Sequence, residues 1–186
     1  MATVGLRDLF RAPITLDQDG FEEYGVPVRM AKAISADLSV EVAEAILYAD
    51  DSIDEIQKEF VSGELKLNVN DLPPEEVSVL LGLNSDTDGV NYYGEADEPP
   101  YVAIGFRAKK PRGLYKYIWL YKVKFAVPSE KYQTKAQGLE FVTPEITGTL
   151  IKRDKDGLWK ADHVCPESDT IAKAWFSAVR ERKTGP

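Results

Sequence analysis

The segment from Asn84 to Glu95 carries the sharpest chemical pattern in the chain. Oxygen-bearing side chains stand at its first, third and fifth positions (Asn84, Asp86, Asp88), glycine at the sixth and Glu95 at the twelfth. That is the spacing of a calcium-binding EF-hand loop, in which the oxygens wrap one ion and the glycine permits the sharp turn. Two features argue against it. Asn84 replaces the leading aspartate, and Pro99-Pro100 stands where a departing helix would run. The plainer reading is a solvated loop, rich in Asp, Asn and Gly because turns favour them.

Other reactive residue types are sparse. His163 and Cys165 form a lone H-x-C pair. A zinc site needs at least three protein ligands, and the chain has no second histidine or cysteine to add. The favoured reading is therefore a polar strand end. The acid pairs Asp50-Asp51 and Glu75-Glu76 have the right groups for general acid–base work. In so acidic a chain such pairs arise freely; the first reads as a solvated loop, the second as compensation of a helix dipole. The phosphate-binding, dinucleotide-binding and nucleophile-elbow glycine motifs do not occur. The expectation is a protein without catalytic residues or cofactor. The alternating aromatics Tyr115, Tyr117, Trp119 and Tyr121 could stack nucleic-acid bases. Lys116, Lys122 and Lys124 fall on the opposite parity, so core or subunit contact is the better reading.

The elements that would position these residues are mostly strands. Leu6 to Leu16 reads as an extended segment closed by the turn Asp17-Gln18-Asp19-Gly20. Phe21 to Met30 reads as a return strand weakened by Pro27. Ala31 to Ala49 has a helix-favouring composition, but residues 34–42 alternate apolar and polar without a break, which predicts a long strand. The acidic stretch Asp50, Asp51, Ser52, Ile53, Asp54 and Glu55 is expected in a long loop over about 49–60. Leu65, Leu67 and Val69 alternate again. Asp71 and Pro73-Pro74-Glu75-Glu76 predict the start of a short helix that ends at Gly82. Val102 to Phe106, then Leu114 to Val127 with one continuous aromatic face, read as paired strands joined by the basic turn Lys109 to Gly113. Phe141 to Thr143 and Glu145 to Arg153 follow as strands. Asp154-Lys155-Asp156-Gly157 predicts a hairpin leading to Leu158 to His163. Ser168-Asp169 can cap a C-terminal helix over about 168–182. The fold class is mainly β: a β-sandwich or open barrel with one or two short flanking helices, in a single domain over residues 1–186.

The chain of 186 residues has 31 acidic and 23 basic side chains, for a net charge of -8. That disfavours gripping nucleic acid, which draws most of its affinity from cations on phosphates. One cysteine excludes an internal disulfide framework, and no run of residues is long and apolar enough for a membrane span. A soluble protein folded in a cytoplasm is expected.

Several ordered blocks carry a likeness to a known family: VGLRDLF at the start, AKAISADLSVEVAEAILYADD, KEFVSGELKLNVNDLPPEEVSVLLG, EPPYVAIGFRAKK, and YKYIWLYKVKFAVPSEKYQTKAQGLEFVTPEITGTLIKR. From about Val4 to Val179 the chain resembles the major tail proteins (tail tube proteins) of siphophages and prophages of Gram-positive bacteria. Asn84 to Asp97 and Lys152 to Glu167 resemble it least. The resemblance implies a β-sandwich whose six copies form a ring, with neighbouring sheets joined into one inner barrel. Rings stack into the tube of a non-contractile tail, through which DNA passes during ejection without specific binding. It implies as partners further copies of the chain, a tape measure, and initiator and terminator proteins, with the virion tail as location. By the same likeness, Asp50 to Glu55 are candidates for contact between rings, and an acidic lumen would let DNA slide. A prophage remnant or tail-shaped bacteriocin would share these features. Two other classes stay open: a monomeric β-sandwich binding carbohydrate or protein, and a hydrolase using His163, Cys165 or an acid pair.

Overall fold

A computed structural model describes residues 5–49, 52–128 and 143–182. It is mainly β, dominated by a large antiparallel sheet with short helices at its margins. The strands are β1 (Leu6–Leu16), β2 (Glu22–Tyr24), β3 (Val28–Ala31), β4 (Ala33–Ala49), β5 (Ser52–Val69), β6 (Asn84–Ser85), β7 (Asn91–Tyr92), β8 (Tyr101–Lys109), β9 (Leu114–Phe125), β10 (Glu145–Leu150) and β11 (Lys160–Pro166). The helices are α1 (Pro74–Leu81) and α2 (Thr170–Ala174). Along the main sheet the order is β2-β1-β8-β9-β10-β5-β4; β3 also pairs β1, and β11 also pairs β9.

The two central strands are buried on both faces, and each face has its own core. One core gathers Leu65, Leu67 and Val69 from β5, Val102, Ile104 and Phe106 from β8, Ile146 and Leu150 from β10, and Leu80 and Leu81 from α1. The other is aromatic: Tyr115, Tyr117, Trp119 and Tyr121 of β9 lie under Trp175, Phe176 and Val179 of the C-terminal segment. Removing a side chain of this size from water contributes roughly 2–3 kcal/mol. Trp119 packs so closely on β8 that a Cβ at Gly105 would stand 2.7 Å from its ring, which is why that strand carries glycine there. The Trp119 indole N–H donates to the Trp175 carbonyl at 3.0 Å, pinning the C-terminal cover to the sheet.

Alternation along β9 is not continuous, contrary to the single aromatic face expected from the sequence. Val102 faces Val123 while Ile104 faces Leu120, so β9 holds one extra residue at that point. A bulge of this kind reverses which side later residues face. Tyr115, Tyr117, Trp119 and Tyr121 therefore enter the aromatic core, whereas Val123 and Phe125 join the aliphatic one.

Four further expectations need correction. Phe21 to Met30 is two short strands separated around Pro27, not one. Asp71 does not cap α1: Pro73 occupies the cap position without a side-chain bond, while Gly82 ends the helix in the left-handed conformation (φ 67°) as expected. The turn at Asp154 to Gly157 does not join a paired hairpin. Strands β10 and β11 both pair β9, one after the other along the same edge, so residues 151–159 are an excursion between two pieces of one interrupted strand. The C-terminal helix is only Thr170–Ala174, capped by Asp169 through the Ile171 N–H, and turns follow it. Phe141 and Val142 lie outside the described residues.

Candidate functional site

The long loop expected over about 49–60 is instead the outer half of a two-stranded arm. Strands β4 and β5 pair from Ala33–Val69 out to Ala49–Ser52. Strand β10 supports β5 only between Gly63 and Asn68, and β4 pairs only β5 among the described residues. Beyond Glu41 and Ser62 the arm thus leaves the sheet for about 26 Å, at roughly 3.3 Å per residue, with Glu59 and Phe60 near its base meeting Lys152 and Trp159. Its backbone groups remain satisfied along one edge of each strand and open along the other.

The arm has two unlike faces. Opposed pairs on one face run Ala36–Leu67, Leu38–Leu65, Val40–Gly63, Val42–Phe60, Glu44–Lys58 and Ile46–Ile56. The first pairs pack on the aliphatic core, so the same face continues beyond the body as an apolar stripe. An extra residue, Val61, keeps Phe60 on that stripe, where it stacks on Trp159 at 4.6 Å. Further out the stripe is uncovered: Val42 is 48% exposed, Ile46 40% and Ile56 49%. The ion pair Glu44–Lys58, at 3.0 Å, interrupts it. The opposite face carries Asp37, Glu41, Glu55, Glu59 and Glu64 with Lys66. Glu59 is tied to Lys152 at 2.8 Å, whose ammonium holds the carboxyl below its usual range.

Of the predicted contact residues, Asp50 and Asp51 lie outside the described residues. Ser52, Ile53 and Asp54 form the first part of β5, with Ile53 opposite Tyr48, and Glu55 is exposed opposite Leu47.

The loop with calcium spacing closes on itself. One Asp86 oxygen accepts the Asp88 and Val90 N–H groups and the other accepts the Tyr92 hydroxyl, and these bonds, Val90 first, depress its pKa. Asn84 pairs with Tyr92 in a two-strand ladder, and Asp86, Asp88 and Glu95 do not converge. No group of three or more His, Cys, Asp or Glu side chains suited to a metal occurs among the described residues.

His163 lies flat against Trp175, with ring centroids 6.3 Å apart. Cys165 is buried beside it in the aromatic core, and burial pushes its thiol pKa up, away from the thiolate a nucleophile needs. Glu76 is not merely answering a helix dipole: it receives two hydrogen bonds from Arg11 at 2.6 and 3.1 Å and fastens α1 to β1. The β9 tyrosines and Trp119 are covered by the C-terminal segment, so they offer no platform for bases.

Sequence reasoning missed the buried charges. Glu22 is fully buried, and burial alone would raise its pKa. It instead accepts from Lys122 at 2.6 Å and from the Asp154 and Lys155 N–H groups, and these hold it at about 2. Lys122 also reaches Asp154 at 2.6 Å. Beside it, buried Arg153 stands 4.1 Å over the Tyr121 ring and is forked onto Asp156. These groups bind the 151–159 excursion to β2. Every charge in the cluster is paired, which describes a fastening rather than a reactive centre.

No protein-family model matches the sequence, and no curated protein matches it. No helix among the described residues is long and apolar enough to cross a membrane.

Proposed function

We propose that the protein is a structural subunit that polymerises into a tube, the major tail protein of a long-tailed bacteriophage or a related particle. The β4–β5 arm carries this reading. A two-stranded ribbon of such length is marginal in water by itself, and apolar stripes left exposed on soluble proteins mark surfaces that meet a partner. Pairing or packing with a further copy covers the stripe and blunts the open edge of β4. A contact between the arm and a different surface of the next copy is head-to-tail, which closes into rings or continues as a filament. The arm also concentrates charge. By sequence, residues 39–61 hold seven acids and one lysine, against a net charge of -8 for the whole chain. A tube wall built from such arms would present negative potential to DNA and would not hold its phosphates.

The test is negative-stain electron microscopy of the purified protein over a concentration series reaching the millimolar range. Rings or hollow tubes are the expected result. Single particles at every concentration, together with a saturable carbohydrate or protein ligand, would sink the reading and favour a monomeric binding module.

A further inference from the structure

The surface opposite in character to the arm lies where β1 begins and β8 ends. Arg7 of β1 faces Arg107 of β8, and the Lys109 N–H binds the Gly5 carbonyl at 3.0 Å, so these chain segments share one end of the sheet. The turn that follows β8 adds Lys110 and Arg112. Arg29 of β3 joins them through Asp8, which it contacts at 3.1 Å while its own side chain stays 60% exposed. Arg107 is neutralised locally by Asp8 and by Glu167 at 2.7 Å. Arg7, Arg29, Lys109 and Arg112 are exposed, and among the described residues the shared Asp8 is the carboxylate this group holds. Exposed Val28 stands next to Arg29 on β3, whose partner among the described strands is β1 alone.

We infer that this basic end of one copy receives the acidic arm of the next. The inference rests on the reading of the arm as an assembly element, and it names the surface that the arm meets. Three observations support a second copy as occupant. The patch has the opposite sign to the arm, in a chain whose net negative charge sits mostly on residues 39–61. The patch sets exposed Val28 beside its cations, and the arm offers carboxylates on one face and the apolar stripe of Val42, Ile46 and Ile56 on the other. The two surfaces do not overlap: the patch lies on β1, β3 and the turn after β8, while the free part of the arm begins beyond Glu41, so each copy can offer one surface while using the other. Complementary charge across such a contact speeds encounter and selects register, and it weakens with salt.

Charge exchange tests it. One variant reverses the patch (Lys109→Glu, Lys110→Glu, Arg112→Glu), the other reverses the arm (Glu41→Lys, Glu55→Lys), and circular dichroism verifies that both fold. Sedimentation velocity and electron microscopy then follow association with and without about 0.5 M salt, which shortens screening to the order of a few ångströms, and with a short DNA duplex. Each variant alone is expected to need at least about tenfold higher concentration to associate, and a one-to-one mixture is expected to recover, because both of its contacts again join opposite charges. A patch-reversed protein that builds wild-type tubes overturns this contact and leaves the tube reading intact. Charge-swappable dimers or open filaments in place of tubes overturn the tube reading and leave the contact. Duplex binding by the wild-type patch with no association between copies overturns the inference in favour of a nucleic-acid surface, and a folded mixture that fails to recover overturns it outright.

Discussion

From Gly63 to Val69, β5 lies between β4 and β10 and turns Leu65, Leu67 and Val69 into a core that no water reaches. From Ser52 to Ser62 the same strand pairs β4 alone and leaves Ile56 half exposed. Hydrogen bonding to β4 continues through both stretches, so the ladder does not separate them; burial does. Paired backbone adds little net free energy over water, whereas the inner half removes whole aliphatic side chains from solvent. The inner half thus stabilises the subunit, and the outer half depends on it for its conformation.

The difference between body and arm is testable at several depths. Its severest challenge is at the buried charges of the body. Lys122→Met strands Glu22 without its cation and should cost about 3–5 kcal/mol, read as a fall in the urea midpoint; a loss below about 1 kcal/mol would mean the site is wet. Leu65→Ala in the inner half of β5 should cost about 2–5 kcal/mol and leave a cavity. Ile56→Ala, nine residues earlier on the same strand, should change stability by less than about 0.5 kcal/mol and yet reduce association between copies. Equal destabilisation by the two would show that the arm is folded against the body.

A pH titration separates the regions again. Glu22 has a folded pKa of about 2, below its ordinary 4.5. Its contribution, about 3 kcal/mol, is complete above the higher value and is lost as pH falls toward the lower one. Glu22→Gln should flatten the acid limb of the stability curve between those limits, while Glu59→Gln on the arm, where an exposed carboxyl is held down only by Lys152, should change it far less. The smallest effect is on reactivity alone. Cys165 should react with a thiol reagent only as fast as the protein opens, whereas a cysteine introduced by Ile56→Cys should react at the rate of a free thiol; rapid labelling of Cys165 in the native protein would contradict the covered aromatic core.

Much of this architecture is legible in the sequence wherever one face of a strand is dry. Alternation over residues 34–42 outweighs a helix-favouring composition and marks β4, and Leu65, Leu67 and Val69 announce the inner half of β5. The outer half reads as a loop because both of its faces meet solvent, so nothing enforces a period of two; the extra residues at Val61 and Asp54 also break the spacing of Ile53, Ile56 and Phe60. The bulge in β9 leaves no trace in the pattern because both of its faces are buried, and apolar residues fit either parity. Glu22 and Lys122 are 100 positions apart, and no local pattern says that a charge will find its partner at that distance. For the candidate site, the acidic segment stands out by composition, but its geometry, an extended ribbon with one apolar face, requires the register of β4 against β5.

The extra residue in β9 has a consequence for how the chain tolerates change in length. Upstream of it odd-numbered positions look toward the aromatic core; downstream odd-numbered positions look toward the aliphatic one. The strand is a message written in two reading frames, and the bulge is the point where the frame changes. Losing a single residue between Tyr121 and Val123 would restore one frame throughout and still leave Val123 and Phe125 in the aliphatic core, because the shift by one position offsets the loss of the extra residue. A single-residue loss is therefore compatible with both cores at the bulge itself, whereas elsewhere in β9 it would turn every later side chain to the other core.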